Sequence, residues 1–308
     1  MFSLIGVPKI DFIGKRKYAF GLSSLLCLAG IIAFVMIFIG KANMGIDFAG
    51  GVMIQGHFQN PVSIADLRGA LTAKYADATV TELTDFSEPN AYIIKSKRPE
   101  AESTGDERIK GIMDVLQTKF AGNTFTKLSE HVIGPSVGAT LRTSTVWAIV
   151  VSLIGILIYI AIRFDWRSGV AAAIATFHDV LAVTGIIWLL GLEFDLLVVS
   201  ALLTLAGYSL TDTVVVYDRI RENLRKFRGK SDFVPSVNRS INETLSRTIN
   251  TSMTVMCVVV ILFLFGGEVL RTFSLALILG VIVGTYSSIF VASPIIVEWE
   301  ARSPRRFK

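Results

Sequence analysis

The sequence predicts a polytopic α-helical membrane protein, with six transmembrane helices and one α+β ferredoxin-like external domain between the first and second. Of the 308 residues, 52% are hydrophobic and only 18% are charged, whereas a soluble protein of this length needs more charge to keep its surface wet. The hydrophobic residues form six blocks, and about 20 such residues cross a hydrocarbon core about 30 Å thick. The blocks are residues 18–40, 145–162, 168–190, 194–217, 248–265 and 272–299. The last is overlong, so we expect Pro294 to mark a kink or the approach to its end.

Basic residues predict the orientation of these helices, because short loops rich in Lys and Arg stay in the cytoplasm. Of the 30 basic residues, 18 lie in segments that the six spans place on one side: Lys9, Lys15, Arg16, Lys17, Arg163, Arg167, Arg219, Arg221, Arg225, Lys226, Arg228, Lys230, Arg239, Arg247, Arg302, Arg305, Arg306 and Lys308. We therefore expect both termini in the cytoplasm and the external domain on the far side. The net charge of +5 follows from this topology, and no nucleic acid is expected as a partner.

The resulting organisation has five parts. A cytoplasmic N-terminus (1–17) leads into the first transmembrane helix (18–40), and the external domain (41–144) follows. A five-helix bundle (145–299) contains the cytoplasmic loop 218–247, and a cytoplasmic tail (300–308) ends the chain. The loop predicts two short helices, 218–227 and 236–249, because Gly229, Ser231 and Pro235 interrupt the helical pattern between them. Its charges favour a solvated face at an anionic membrane surface, with a docking site for a partner as the alternative.

The external domain is predicted from alternating strand and helix patterns. Strands are expected at 52–58, 78–84, 91–97 and 124–132, and helices at 62–75 and 106–120. Ser63 with Asp66, and Thr104 with Glu107, have the spacing of helix-capping pairs. The order β-α-β-β-α-β is that of a ferredoxin-like domain, which by itself indicates no activity. His57 and His131 are isolated in this pattern, so no metal site is expected.

The motifs of common enzymes are absent from the sequence. It contains no H-E-x-x-H, no G-x-x-x-x-G-K-[ST] and no G-x-S-x-G. Tyr217 and Asp218 match half of an intramembrane aspartyl protease site, but the partner motif G-x-G-D is missing. We therefore expect no enzymatic activity and no cofactor, and any work must be driven by a partner or an ion gradient.

The strongest candidate functional residue is Asp212, in the cytoplasmic half of the fourth span. A carboxylate within a membrane favours its neutral form unless a cation or hydrogen-bond donors stabilise its charge, so it can bind and release a proton. Two polar stripes accompany it: Thr204, Tyr208, Ser209 and Thr211 on its own span, and Arg247, Asn250, Thr251 and Thr254 at the start of the fifth. For hydroxyl groups alone, hydrogen bonding between helices would suffice as an explanation. An aspartate with an arginine in reach favours a functional site, and we expect Arg247 to reach Asp212.

Two further patterns lie inside the spans. His178 and Asp179, near the middle of the third span, are secondary candidates, because proton movement and a buried packing network explain them equally well. Gly280 and Gly284 form a G-x-x-x-G pair in the sixth span, which is typical of close helix packing.

Five segments of the chain resemble, in the same order, those of the SecF half of the SecD/SecF protein-export family. GIDFAGG supplies Gly45, Asp47, Phe48, Gly50 and Gly51, and VIGPSVGATLR supplies Gly134, Pro135 and Gly138. RFDWRSGVAAAIATFHDV, GYSLTDTVVVYDRIREN and NETLSRTINTS follow within the bundle. Thr211 departs from the pattern, since the family usually has Asn there. Thr loses the second donor of the amide, so we expect the tuning of the adjacent aspartate, and not proton handling itself, to differ.

The resemblance implies a half-transporter of the RND superfamily that pairs with SecD in a twelve-span pseudo-symmetric unit. Its implied partners are SecD, the SecYEG translocon with YajC as an optional addition, exported unfolded polypeptides and the lipid bilayer. It further implies a place in the bacterial cytoplasmic (inner) membrane, with residues 41–144 periplasmic, and use of proton flow to promote export. The functional carboxylate of the family falls on Asp212 and its essential arginine on Arg247.

Two other functions and one other ion remain open from the sequence. A small-molecule RND exporter half is disfavoured, because one external domain of about 100 residues leaves little room for a substrate cleft. A purely structural channel-assembly factor would have no need of Asp212 and Arg247. One carboxylate flanked by hydroxyl groups also suits sodium as well as a proton.

Overall fold

The computed structural model describes residues 8–83, 90–97, 105–226 and 233–303. The helices are α1 (Arg16–Phe38), α2 (Ile46–Ala49), α3 (Ile64–Thr72), α4 (Gly105–Lys119), α5 (Pro135–Arg163), α6 (Trp166–Leu189), α7 (Leu196–Lys226), α8 (Phe233–Phe265), α9 (Gly267–Ser287) and α10 (Ser293–Arg302). The strands are β1 (Gly51–Phe58), β2 (Thr79–Leu83), β3 (Ala91–Lys97) and β4 (Phe125–Ile133). Six segments are long and apolar enough to cross a membrane, namely α1, α5, α6, α7, α8 and the run from α9 to α10. The prediction of six spans and one α+β domain is confirmed.

The small domain is a four-stranded antiparallel sheet in the order β2-β3-β1-β4, with α3 and α4 packed against it. Its inner face follows from alternation along β1, where Val52, Ile54 and Phe58 are buried. This is the strand order of the predicted ferredoxin-like fold. At the start of α3, Ser63 accepts a hydrogen bond from the Asp66 N–H at 3.1 Å, which confirms that cap. The Thr104 cap lies outside the described residues.

The membrane bundle is built around α6, α7 and α9. Helix α1 packs against α6, α8 packs against α7 and α9, and α5 lies at the edge along α6. Small residues allow the closest approach: a Cβ built on Gly185 of α6 would lie 2.6 Å from the backbone nitrogen of Gly30 on α1. We call the end of the bundle that joins the sheet the domain end, and the other the opposite end.

Three predicted boundaries are wrong because helical hydrogen bonding continues where hydrophobicity stops. Helix α5 begins at Pro135, the favoured first helical position for proline, so residues 135–144 are helical and continuous with the second span. At the opposite end, α7 continues to Lys226 and α8 already starts at Phe233. The two predicted short helices of loop 218–247 are therefore extensions of the spans. Gly229 and Ser231 lie outside the described residues.

The last span changes its helical geometry near its end. Residues Ser288–Ala292 form a turn of π-helix between α9 and α10, and Ser293 Oγ donates to the Ser288 carbonyl at 2.9 Å. Pro294 occupies the first turn of α10, where its missing N–H is best tolerated. The predicted irregularity at Pro294 is thus present, and it falls just before the proline.

Candidate functional site

Asp212 is buried in the bundle, with 4% of its surface exposed. Thr251 Oγ1 of α8 donates to its Oδ1 at 3.4 Å, while Oδ2 is buried without a hydrogen-bond partner among the described residues. The same holds for Thr248 Oγ1 and Asn250 Oδ1 on α8. Buried polar atoms are almost always hydrogen-bonded, to protein or to ordered water. This junction of α7 and α8 is therefore suited to water or a small ion.

A second layer of polar contacts ties this site to α9. Tyr208 OH donates to Ser252 Oγ at 3.0 Å, and Ser252 Oγ lies 2.6 Å from Thr285 Oγ1. Ser252 and Thr285 are not predicted by the sequence pattern. Ser252 directly follows Thr251 of the predicted stripe, which was the one hint in the sequence. Only the rotation of α8 about its axis shows which of these hydroxyl groups faces the bundle interior. The contacts link α7, α8 and α9 beside the carboxylate.

Arg247 lies one turn before Thr251 on α8, and its carbonyl oxygen accepts a hydrogen bond from Thr251 Oγ1 at 3.2 Å. It is exposed, as are the neighbouring predicted residues Thr204, Thr211, Thr251 and Thr254. We call these five residues the α7–α8 polar face. Charged groups at membrane depth normally face a bundle interior or a water-filled cavity. An exposed polar face beside a buried carboxylate therefore indicates that this side of the bundle is not simply lipid-facing.

Thr211 lies on the outer side of α7, although it precedes Asp212 directly. Its hydroxyl donates to the Gly207 carbonyl at 3.2 Å, so it is directed at its own helix. Thr211, which stands where the family usually has Asn, therefore belongs to the α7–α8 polar face. Its hydroxyl bonds to its own helix and not to the carboxylate of Asp212.

Asp179 is the most deeply buried carboxylate among the described residues, with no exposed surface. Its Oδ2 accepts hydrogen bonds from Ser209 Oγ of α7 and from Ser287 Oγ of α9, the latter at 2.7 Å. Its Oδ1 lies 2.8 Å from His178 Nδ1. The predicted stripe residue Ser209 thus belongs to this second cluster and not to the Asp212 site. Ser287 was not predicted, because its role depends on how α9 is rotated.

The G-x-x-x-G pair packs α9 against α7, as predicted. A Cβ on Gly280 would lie 2.8 Å from Leu205 Cδ1, and one on Gly284 would lie 3.1 Å from Ser209 Cβ. The two glycines hold α9 close enough for Ser287 and Ser209 to reach the same oxygen of Asp179.

The motif residues 45–51 and 134–138 form the joint between domain and bundle. Asp47 Oδ2 accepts a hydrogen bond at 3.0 Å from the N–H of Leu196, the first residue of α7. The Gly45 N–H donates to the Phe194 carbonyl at 2.7 Å, and Gly50 and Gly51 adopt φ of 74° and 151°, which favour glycine.

Helix α5 is attached at the same joint. Gly134 precedes α5, and Pro135 is its first residue. A Cβ on Gly138 would lie 3.1 Å from the Phe48 carbonyl oxygen, and Arg142 donates to that carbonyl at 3.4 Å. The joint therefore binds the N-termini of both α5 and α7 to the first strand of the domain.

Asp47→Ala is expected to loosen the domain end of α7. Losing a carboxylate that accepts a helix N-terminal N–H costs about 0.5–2 kcal/mol, so the fold survives while local opening increases. Hydrogen exchange at the first turn of α7 would measure this as faster exchange than in the wild type. Asp66→Ala, which removes a carboxylate from the start of α3, is the control and leaves α7 unchanged. Equal exchange at α7 in wild type and Asp47→Ala would contradict the assignment.

The six apolar helices and the small sheet domain define a multi-pass membrane protein with ionisable groups buried in its bundle. A family model described as "Protein export membrane protein SecD/SecF, C-terminal" matches residues 114–302. Protein translocase subunit SecF of Thermodesulfovibrio yellowstonii is 46% identical over 303 residues, covering 96% of this chain and 97% of that protein. Protein translocase subunit SecF of Gemmatimonas aurantiaca is 39% identical, covering 96% and 89%.

Solved structures agree with these relatives. The crystal structure of SecDF, a translocon-associated membrane protein from Thermus thermophilus, is 37% identical with a TM-score of 0.80, over 97% of this chain and 40% of that one. SecDF in a super-membrane-facing form is 36% identical with a TM-score of 0.70, over 98% and 40%. The chain belongs to the SecD/SecF family of protein-export membrane proteins. Its relatives are translocase subunits, which places it among transport proteins and not enzymes.

Proposed function

We propose that this chain pairs with a SecD half and uses the proton-motive force to promote passage of exported proteins through the SecYEG channel. Asp212 is the group that binds and releases the coupling proton, and Arg247 stabilises its charged form. The observation that carries the proposal is the buried Asp212 Oδ2, which has no hydrogen-bond partner in the described part of the chain. Its hydrogen-bond partner Thr251 is exposed, so the buried carboxylate lies close to the α7–α8 polar face.

Protonation of Asp212 reaches the domain through α7. The helix is continuous from Leu196 to Lys226, with Asp212 in its interior and the Asp47 hydrogen bond at its first residue. A neutral Asp212 accepts a weaker hydrogen bond from Thr251 and loses its attraction to Arg247. The packing of α7 against α8 then changes, and the joint passes that change to the domain.

The polar face supports a SecD half as partner. Its five exposed residues flank Asp212 and need a protein neighbour or water at membrane depth. The SecDF protein of Thermus thermophilus also extends well beyond the region matched here, since this chain covers 39% of it. We assign the face to the contact with the SecD half.

The basic residues support an orientation with both termini in the cytoplasm. The domain end then lies in the periplasm and the opposite end at the cytoplasmic surface of the inner membrane. There Arg163 and Asp218 form an exposed ion pair at 2.7 Å, and Arg219 binds Glu243 at 2.7 Å. These charges suit an aqueous and anionic membrane surface.

Asp212→Asn is expected to remove all of the stimulation of export by an ion gradient, because an amide cannot carry a proton through the cycle. The measurement uses inverted membrane vesicles in which this chain is the sole SecF copy beside its SecD half. Preprotein import is followed with and without a proton gradient, and with a sodium gradient in its place. Proton flow across the same vesicles is recorded in parallel.

Asp218→Asn is the matched control, since Asp218 lies on the same helix but is 41% exposed on its side chain. It is expected to keep both activities. Wild-type import and proton flow in Asp212→Asn would overturn the proposal. Stimulation by sodium alone would replace the proton by sodium as the coupling ion.

A further inference from the structure

The cluster around Asp179 lies outside the Asp212 site and needs an explanation of its own. Its three contacts come from three directions: His178 on the same helix, Ser209 on α7 and Ser287 on α9. His178 is also buried, with 4% of its surface exposed, and its Nε2 has no hydrogen-bond partner among the residues described. Buried ring nitrogens are normally hydrogen-bonded, to protein or to ordered water, so Nε2 marks a place where a water molecule or a proton can be accommodated.

We infer that Asp179 and His178 form a second protonatable centre of the bundle, which positions α7 against α9 according to its proton occupancy. In the charged state, His178 is neutral and donates from Nδ1 to Asp179 Oδ1. A proton that arrives at Nε2 makes the ring an imidazolium, and the Nδ1 proton then passes to Oδ1. The result is a neutral carboxylic acid beside a neutral imidazole that carries its hydrogen on Nε2. One proton is taken up, and the reverse steps release it.

The serine contacts respond to this proton. Ser209 and Ser287 both donate to Oδ2, and hydrogen bonds to a charged acceptor are roughly twice as strong as those to a neutral one. The charged carboxylate therefore holds α7 and α9 together at this level, and the neutral acid holds them less tightly. Gly284, packed against Ser209, lets the two helices come close enough for both bonds.

The centre is coupled to Asp212 through α7. Ser209 precedes Asp212 by one turn, and both side chains are buried in the bundle. A shift of α7 caused by Asp212 changes the Ser209 contact, and loss of the Ser209 contact changes the freedom of α7 at Asp212. Such a shared element is what two coupled sites require.

Other titratable groups near the pair are few among the described residues. From α9, the ring of Tyr286 lies 6.4 Å from that of His178, and Tyr286 OH donates to the Ala19 carbonyl of α1 at 2.8 Å. From α1, Cys27 interacts electrostatically with Asp179. From α7, Ser209 contacts Asp179, whereas the hydrogen bond of Asp212 is with Thr251 of α8. With no basic side chain other than His178 identified beside it, the charge of Asp179 depends on the histidine and the two serines.

The coupling to export rests on the proposed function, whereas proton binding by the pair can be measured without it. The chain and its SecD half are reconstituted in lipid, and infrared difference spectra are recorded between about pH 6 and pH 9, where exposed carboxyl groups stay ionised. Asp212→Asn is expected to retain one protonated-carboxyl band from this chain. That band is expected to vanish in Asp212→Asn/Asp179→Asn, and Ser287→Ala is expected to let it persist to higher pH.

Controls separate proton binding from packing. Thr176→Val removes another buried polar group from α6, whose hydroxyl donates to its own helix at 3.0 Å, and is expected to leave the band unchanged. Asp179→Asn preserves the shape of the side chain and one acceptor oxygen, and is expected to flatten the pH profile of gradient-stimulated import.

The outcomes distinguish this inference from the proposed function. Identical spectra for Asp212→Asn with and without Asp179→Asn would overturn the second centre, even if Asp212→Asn abolishes stimulation. Stimulation that survives in Asp212→Asn would overturn the proposed function whatever the spectra show. If Asp179→Asn fails to assemble, the Ser287→Ala spectrum decides alone, and an unshifted band would count against the inference.

Discussion

Arg247→Leu is expected to abolish gradient-stimulated export, even though Arg247 lies near the surface and makes no direct hydrogen bond to Asp212 in the contacts described. Its positive charge favours the charged form of Asp212. Without that charge the carboxyl group keeps its proton throughout the cycle, so the variant should behave like Asp212→Asn. Arg247→Lys retains a cation at this position and is expected to keep most of the stimulation.

The double variant Arg247→Leu/Asp212→Asn tests whether the two residues act in one step. Effects within one step are not additive, so the double variant should be no worse than either single one. Import and proton flow are measured in the vesicle assay for the wild type, the two single variants and the double variant. Full export in the double variant would favour the structural assembly factor, which needs neither residue. Export that falls further than in each single variant would show that they act separately.

Gly185→Leu is expected to cause a large loss of stability in the bundle. A Cβ at this position would lie 2.6 Å from the Gly30 nitrogen and 2.8 Å from the Ala29 carbonyl carbon. Overpacking against side chains costs about 1–3 kcal/mol, and backbone atoms of a packed helix yield less than side chains do. We therefore expect a cost above that range and separation of α1 from α6.

Thermal aggregation of the detergent-solubilised chain measures this loss. The matched control is Gly155→Leu on α5, where a Cβ would have no heavy atom within 4 Å, and it should unfold like the wild type. Equal midpoints for Gly185→Leu and Gly155→Leu would contradict the close contact between α1 and α6.

The sequence was sufficient for the architecture because its hydrophobic blocks and strand alternation report local burial. β3 matches its predicted range, and β1 begins one residue earlier than predicted. Boundaries failed where helix formation and hydrophobicity diverge. The polar turns after Pro135 and the charged turns before Lys226 are helical, but they carry no apolar signal.

Only part of the candidate site could be predicted from the sequence. A carboxylate within an apolar block can be recognised in the sequence itself, so Asp212 and the pair His178 and Asp179 could be found. The partners of Asp179 come from α7 and α9, and their approach depends on the rotation of three helices about their axes. No spacing within one helix encodes that rotation, which is why Ser209 was assigned to the wrong cluster and Ser287 was missed.

Because α7 is one continuous helix, it can tilt as a rigid rod. Its 31 residues span about 46 Å at 1.5 Å per residue. Its close contacts with the glycines of α9, at Leu205 and Ser209, lie near its middle. A tilt of about 10° around the middle of α7 displaces each end of a helix of this length by about 4 Å. Under the proposed function, a small change in hydrogen bonding beside Asp212 would therefore move the two ends of α7 by several ångströms in opposite directions.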